Sequence, residues 1–323
     1  MAEDWRIDRE KALLALQREK PEERLAAAEA LVQIAKSRSD RSEFIEVLPK
    51  LLADPYDRVR RVGVGLAGMC LEEEEAAELF AKQLADKSPD VRIEAAGQLA
   101  DLARPDSRGA LAAALNDDNL SVRFEAARGM AALHHSSGLE VLTEALEDDL
   151  LRFRALGALA ELGDAQALPA IRKVFRKFFL SAFERTQAAG AMAKLGDPEG
   201  GKHLLERTRR KWSTDRALAI ELLGELKIPG ALERLLQIVR DRKDTARGAA
   251  ARGLGRLGDR TALDALLSVF EERQAPEDVR LDAAEGLVLL KDPQARARVE
   301  QGASQFESEE AREEVRAMLE EQS

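Results

Sequence analysis

DKSPDVRIEAAGQLA, residues 86–100, returns 31 residues later as DDNLSVRFEAARGMA, residues 117–131. Both stretches run from a polar turn into valine and arginine. Small residues follow three and four places after the arginine, and a large apolar residue seven places after it. Aligned on that arginine, ten positions share one register: Arg24, Arg60, Arg92, Arg123, Arg152, Arg185, Arg216, Arg247, Arg280 and Arg312. Successive gaps run from 29 to 36 residues. A period near 31 with no cofactor motif marks an array of helical repeats, an architecture whose usual work is to present a surface.

The columns define the unit. One place before the arginine stand Val59, Val91, Val122, Leu151 and Val279. Three after it come Ala27, Gly63, Ala95, Ala126, Ala155, Ala188, Ala219, Ala250 and Ala283, and seven after it mostly Leu or Met, from Leu31 to Leu319. These offsets share one face of a helix turning every 3.6 residues. Small side chains there let a neighbouring helix approach, and the larger one fills the remaining groove. This is the second helix of a hairpin. Its first helix is a looser apolar pattern upstream, as in Leu232, Leu235, Leu236 and Ile238. Asp54-Pro55-Tyr56-Asp57 and its equivalents form the turn between them, with side chains suited to accept the unpaired N–H groups of the next helix. Gly163, Gly196 and Gly258 supply left-handed stops.

The expected fold is therefore all-α, a right-handed α-solenoid of about ten stacked hairpins. Approximate repeats are 8–36, 41–71, 74–103, 106–133, 137–162, 165–195, 199–226, 229–257, 260–290 and 294–321, read as one domain over residues 1–323. Spaced at about 8–10 Å, ten units extend on the order of 90 Å. Glu23 replaces the usual valine in the first repeat, and Glu309, Glu310, Glu313 and Glu314 make the last one polar, as end caps require.

Composition agrees. Hydrophobic residues are 45% of the 323, but aromatics only 4%, and the apolar weight rests on the helix formers Ala and Leu. A formal charge of −10 argues against a generally nucleic-acid-binding or membrane-coating surface. One cysteine, Cys70, excludes an intramolecular disulfide framework, no stretch approaches a membrane span, and residues 1–20 lack a signal-type apolar run. These features point to the cytoplasm.

The chain resembles the HEAT-repeat family, and within it the short-repeat branch related to phycobilisome lyase subunits. Asp86 to Ala100, Asp117 to Ala131, Asp241 to Asp259 and Asp278 to Leu290 carry the likeness. The family includes scaffolds, adaptors and a few enzymes. The resemblance implies a ladder of turn aspartates and helix arginines between neighbouring repeats, carried over to Asp54 with Arg60, Asp86 with Arg92, Asp117 with Arg123 and Asp241 with Arg247. Phe179, Arg210 and Gln274 occupy the aspartate position elsewhere and are expected to interrupt it.

Nothing in the chain builds a catalytic site. His134 and His135 lie in a loop with no ligand at zinc spacing, and Cys70 reads as buried filler three places past Ala67. There is no phosphate loop, nucleophile elbow or paired-histidine helix. No catalytic residue, cofactor or metal is assigned.

One segment breaks the pattern. Residues 172–216 hold twelve basic and five acidic side chains, a net +7, so the remainder is −17. Phe175, Phe178, Phe179 and Phe183 crowd there, with Trp212 close behind. Val174 and Phe178, with Phe175, suit the buried stripe of the first helix, whereas Phe179 and Phe183 fall where other repeats place turn residues. Arg176 and Lys177, then Arg209, Arg210 and Lys211, then Arg240, Arg242 and Lys243 occupy matching ends of successive hairpins. With Phe179, Phe183 and Trp212 they form a basic, aromatic ridge suited to a protein partner with an acidic surface. The competing reading has the phenylalanines thickening the core under a longer first helix and the charges merely solvated. A second candidate surface is the face of the second helices, where Glu94, Glu125, Arg128, Arg154, Gln187, Glu221, Arg252, Asp282 and Glu285 mix signs.

The primary expectation is a non-enzymatic scaffold or adaptor using the ridge, the inner face or both. Two alternatives stand beside it. One is a nucleic-acid binder resembling the HEAT-like alkylpurine DNA glycosylases, suggested by Trp212 and Asp215 but opposed by the acidic balance. The other is a lyase-like cofactor handler. The sequence leaves the oligomeric state open.

Overall fold

The computed structural model describes residues 4–321, and among these there are helices and turns and no strand. The chain divides into two compact units between Leu151 and Arg152.

The first unit contains α1 (Asp4–Ala15), α2 (Pro21–Lys36), α3 (Leu48–Leu52), α4 (Asp57–Cys70), α5 (Glu73–Gln83), α6 (Pro89–Leu102), α7 (Arg108–Ala114), α8 (Leu120–Ala132) and α9 (Leu139–Ala145). The even-numbered helices carry the register arginines and pack on one another in succession. Helices α1, α3, α5 and α7 each back the helix that follows, and α9 packs on α8. The small and large columns form the shared interior: Ala28, Leu31, Ala67, Ala95, Leu99, Ala126 and Met130 are all at most 1% exposed.

The second unit contains α10 (Arg152–Leu162), α11 (Leu168–Phe175), α12 (Ala182–Lys194), α13 (Pro198–Arg209), α14 (Arg216–Glu225), α15 (Ala231–Arg240), α16 (Arg247–Leu257), α17 (Leu263–Phe270), α18 (Glu277–Leu289), α19 (Pro293–Gly302) and α20 (Glu309–Glu320). Here α10, α12, α14, α16, α18 and α20 pack in series, and each odd-numbered helix from α11 onward backs the next even one. Ala188, Met192, Ala219, Leu223, Ala250, Leu254, Ala283 and Leu287 are fully buried. Each leucine in that column removes enough apolar surface from water to stabilise the fold by about 1.5–3 kcal/mol. Stacked hairpins sharing an interior define an α-solenoid.

The helix stops follow one rule with two solutions. Gly163, Gly196 and Gly258 take left-handed φ values of 73–86°, and Asp164, Asp197 and Asp259 then accept a backbone N–H two residues on. At the corresponding places Ala103, His134, Lys227 and Lys291 take φ values of 47–53°, a conformation that is strained for side chains bearing a Cβ. The glycine rule alone misses these four stops.

Candidate functional site

Arg24, Arg60 and Arg92 each join two successive turns. In the first unit Arg60 donates through Nε and Nη2 to the Asp86 carboxylate at 2.7 Å, and through Nη1 to the carbonyls of Asp54 and Pro55 at 2.9 and 3.2 Å. Arg24 reaches Asp54 and Arg92 reaches Asp117 in the same bidentate way. Burial opposes ionisation of Asp86, but the Arg60 contact and the Ser88 N–H together outweigh it and hold the carboxyl below its ordinary value. From Arg24, Arg60 and Arg92 the ladder therefore runs to the aspartate of the following repeat. The same-repeat aspartate offers the arginine only its carbonyl, and its carboxylate accepts from the turn N–H, as Asp54 does from Tyr56 at 2.8 Å. The Asp241–Arg247 pairing also requires correction. Arg247 Nη2 meets Glu272 at 2.5 Å, whereas Asp241 takes Lys211 Nζ at 2.8 Å. Other acids also serve: Arg216 makes a buried bidentate contact with Asp244 at 2.6 and 2.7 Å, and Arg152, with Phe179 at the ladder position of the following repeat, meets Glu184 at 3.0 Å. Arg185 instead donates to the carbonyls of Phe175 and Lys177.

That last arrangement shapes the ridge. Helix α11 stops at Phe175, where Arg185 takes up the carbonyls released by the helix end. Val174 is buried and Phe175 lies edge-on to His203 at 5.1 Å, as a core stripe requires. Phe178 is not in that stripe. It is 87% exposed, because the helix ends before the position that would have turned it inward. Phe179 is 93% exposed and sits against Phe178 in an edge-to-face pair at 4.9 Å. Phe183, on the first turn of α12, is half-exposed, and Trp212 is 94% exposed. The longer first helix is therefore absent, and sequence reasoning missed Phe178 because it continued the helical period past the stop.

The remaining ridge residues occupy three turns, 176–181, 210–215 and 241–246, or the helix ends entering them. Arg176, Lys177 and Phe179 lie in the first. Arg209 at the end of α13 leads into Arg210, Lys211 and Trp212 in the second, and Arg240 at the end of α15 leads into Arg242 and Lys243 in the third. The turns are tied together from beneath. Asp215, fully buried, accepts from Thr186 Oγ1 at 2.5 Å, from Arg207 Nε at 2.8 Å and from Ser213. Lys211 bridges to Asp241, and Arg242 to Glu272 at 3.1 Å. Exposed pairs also join Arg176 to Glu199 and Arg209 to Glu206. Arg210, Arg240 and Lys243 are exposed and form no salt bridge among the described residues, although the charge of Lys243 helps to lower the carboxyl pKa of Asp241. Asp215 is thus a structural anchor, closed off from the surface where Trp212 stands.

The second-helix face is internally compensated. Arg128 bonds Glu125 at 2.8 Å and Asp101 at 2.7 Å, and Arg252 meets Asp282, Glu221 and Glu285 across α14 and α18. His134 and His135 are exposed at the end of α8, and Cys70 is half-buried, with burial raising its thiol pKa.

Repeated hairpins with a shared interior and an arginine-to-turn ladder define a helical-repeat protein. The chain belongs to the HEAT-repeat family, whose model, HEAT repeats, matches residues 77–152, 140–224 and 213–287. A search of the curated proteins finds no match. Among solved structures, the chain is similar to a homology model of the full-length AP-3 complex in an intermediate open conformation: 13% identity, 98% of this chain and 69% of that one, TM-score 0.50. It also matches the complex of CpcE and CpcF of phycocyanin lyase from Nostoc sp. PCC7120, at 18% identity over 98% and 94% of the two chains, TM-score 0.40. An engineered protein matches at 19% identity over 98% of each chain, TM-score 0.40. At 13% identity the likeness to the AP-3 model is one of fold alone. No helix among the described residues is long and apolar enough to cross a membrane.

Proposed function

We propose that the chain works as a single HEAT-repeat domain, a non-enzymatic scaffold or adaptor that captures a protein with an acidic surface on the edge formed by the turns 176–181, 210–215 and 241–246. The observation carrying this reading is the combination there of three large aromatic side chains 87–94% exposed with three exposed cations that form no salt bridge among the described residues. An exposed Phe or Trp gains most when a partner covers it, and Arg and Trp dominate binding energy at protein interfaces. The compensated second-helix face offers no comparable surplus of charge.

Reversing the three unengaged cations together, Arg210→Glu, Arg240→Glu and Lys243→Glu, tests the reading. Capture of the native partner at low salt is expected to fall at least about tenfold, which is about 1.4 kcal/mol, with an unchanged melting temperature. Undiminished capture would remove the edge as the interface. The nucleic-acid alternative is favoured by one observation, Trp212 standing exposed among cations. It requires an affinity for DNA that falls steeply with salt, carried by the same three cations.

A further inference from the structure

We propose that the occupant of this edge is an extended acidic peptide segment of the partner, in which one large apolar residue is followed or preceded by two carboxylates at three-residue intervals. This rests on the reading of the edge as a protein interface. The argument is one of spacing and order. The Lys211–Asp241 bridge joins the second turn to the third, and α12 links the first turn to the second, with Arg185 donating to the Lys177 carbonyl and Thr186 to Asp215. Packed helices of this kind step by about 8–10 Å, and an extended chain advances about 3.3 Å per residue. Three residues therefore match one step. An α-helix covers only about 4.5 Å in three residues, so a helical segment with that acid spacing falls out of phase after one turn.

The order of chemistry along the edge is not symmetric. The first turn offers the Phe178–Phe179 pair, an apolar platform. The second offers Trp212 and the unengaged Arg210. The third offers Arg240 and Lys243 beside a cavity of about 300 Å³ lined by Arg240, Arg242, Arg247, Asp264 and Ser268. Glu272 already holds Arg242 and Arg247, which leaves Arg240 as the cation for an incoming carboxylate. A peptide thus meets apolar surface at one end and cations at two successive steps.

The test uses the full chain and four fluorescein-labelled synthetic heptapeptides followed by fluorescence anisotropy. Two are spaced, Leu-Ser-Ser-Glu-Ser-Ser-Glu and its reversed sequence; the other two have the same composition with the glutamates adjacent. One spaced peptide is expected to bind about tenfold more tightly than either re-spaced isomer, and Trp212→Ala or Arg240→Glu each to weaken it at least about fivefold. Both sites are exposed, so an unchanged melting temperature is expected and is measured alongside. Equal binding of spaced and re-spaced peptides overturns the inference. Absence of binding by all four also overturns it, and in either case the interface reading still stands if the triple reversal abolishes capture of the native partner. Tighter binding of a single-stranded oligonucleotide than of any peptide, with steep salt dependence, overturns both.

Discussion

Asp215 has no exposed surface, and burial opposes its ionisation. Arg207, Ser213 and Thr186 outweigh that penalty and hold its carboxyl at a pKa of about 2, against about 3.9 in an unfolded chain. Its contribution to stability, on the order of 2 kcal/mol, is full above pH 4 and is lost as the pH falls through 4 towards 2. Asp215→Asn is therefore expected to be less stable than the parent at pH 7, with the gap in denaturation midpoint narrowing below about pH 3. A gap independent of pH would show that the anchor is not ionised. Leu223, fully buried in the seven-place column, gives a second check. Leu223→Ala should cost about 2–5 kcal/mol in a denaturant titration, and a midpoint equal to the parent's would contradict the column. At this scale the arginine register is legible because it repeats. The partner of each arginine is not, because aspartate, glutamate and backbone carbonyl all serve, and Asp86 bonds an arginine 26 residues before it while six residues separate it from the one the spacing suggests.

Helix contacts in the second unit are set by glycine as well as alanine. A Cβ built on Gly224 would lie 2.4 Å from the Gly253 carbonyl oxygen, and one on Gly255 would lie 2.4 Å from that of Gly286. Helices α14, α16 and α18 therefore approach backbone to backbone. Gly224→Ala is expected to destabilise by about 1–3 kcal/mol through overpacking, despite alanine's higher helix propensity. Gly65, on α4, meets nothing nearer than the Glu94 carboxylate at 3.6 Å. Gly65→Ala should instead raise the melting temperature, by the roughly 0.5–1 kcal/mol that alanine gains over glycine inside a helix. Opposite shifts from two glycine-to-alanine changes would confirm the packing, and shifts of one sign would refute it. Periodicity makes the helices and their inward faces legible. It does not show where a helix stops when the stop is an alanine, a lysine or a remote arginine, which is why Phe178 reads as core and stands in solvent.

Charge divides unevenly along the chain. Residues 1–151 hold 31 acidic and 20 basic side chains, and residues 152–323 hold 29 and 30, with the excess positive charge gathered in 172–216. The sequence reveals that excess as a count, but not which cations are already engaged by Glu199, Glu206, Asp241 and Glu272. Only the folded turns separate Arg210, Arg240 and Lys243 from the rest. Photo-crosslinking in the native cell tests the proposed interface most directly, with a photoreactive amino acid placed at position 212 and, for comparison, at the exposed Lys50 of α3. The position-212 probe should yield a discrete adduct with an acidic protein, lost when Arg210, Arg240 and Lys243 are reversed. Equal adducts from both positions, or an adduct at 212 that survives the reversal, would contradict the basic, aromatic edge as the place where this chain holds its partner.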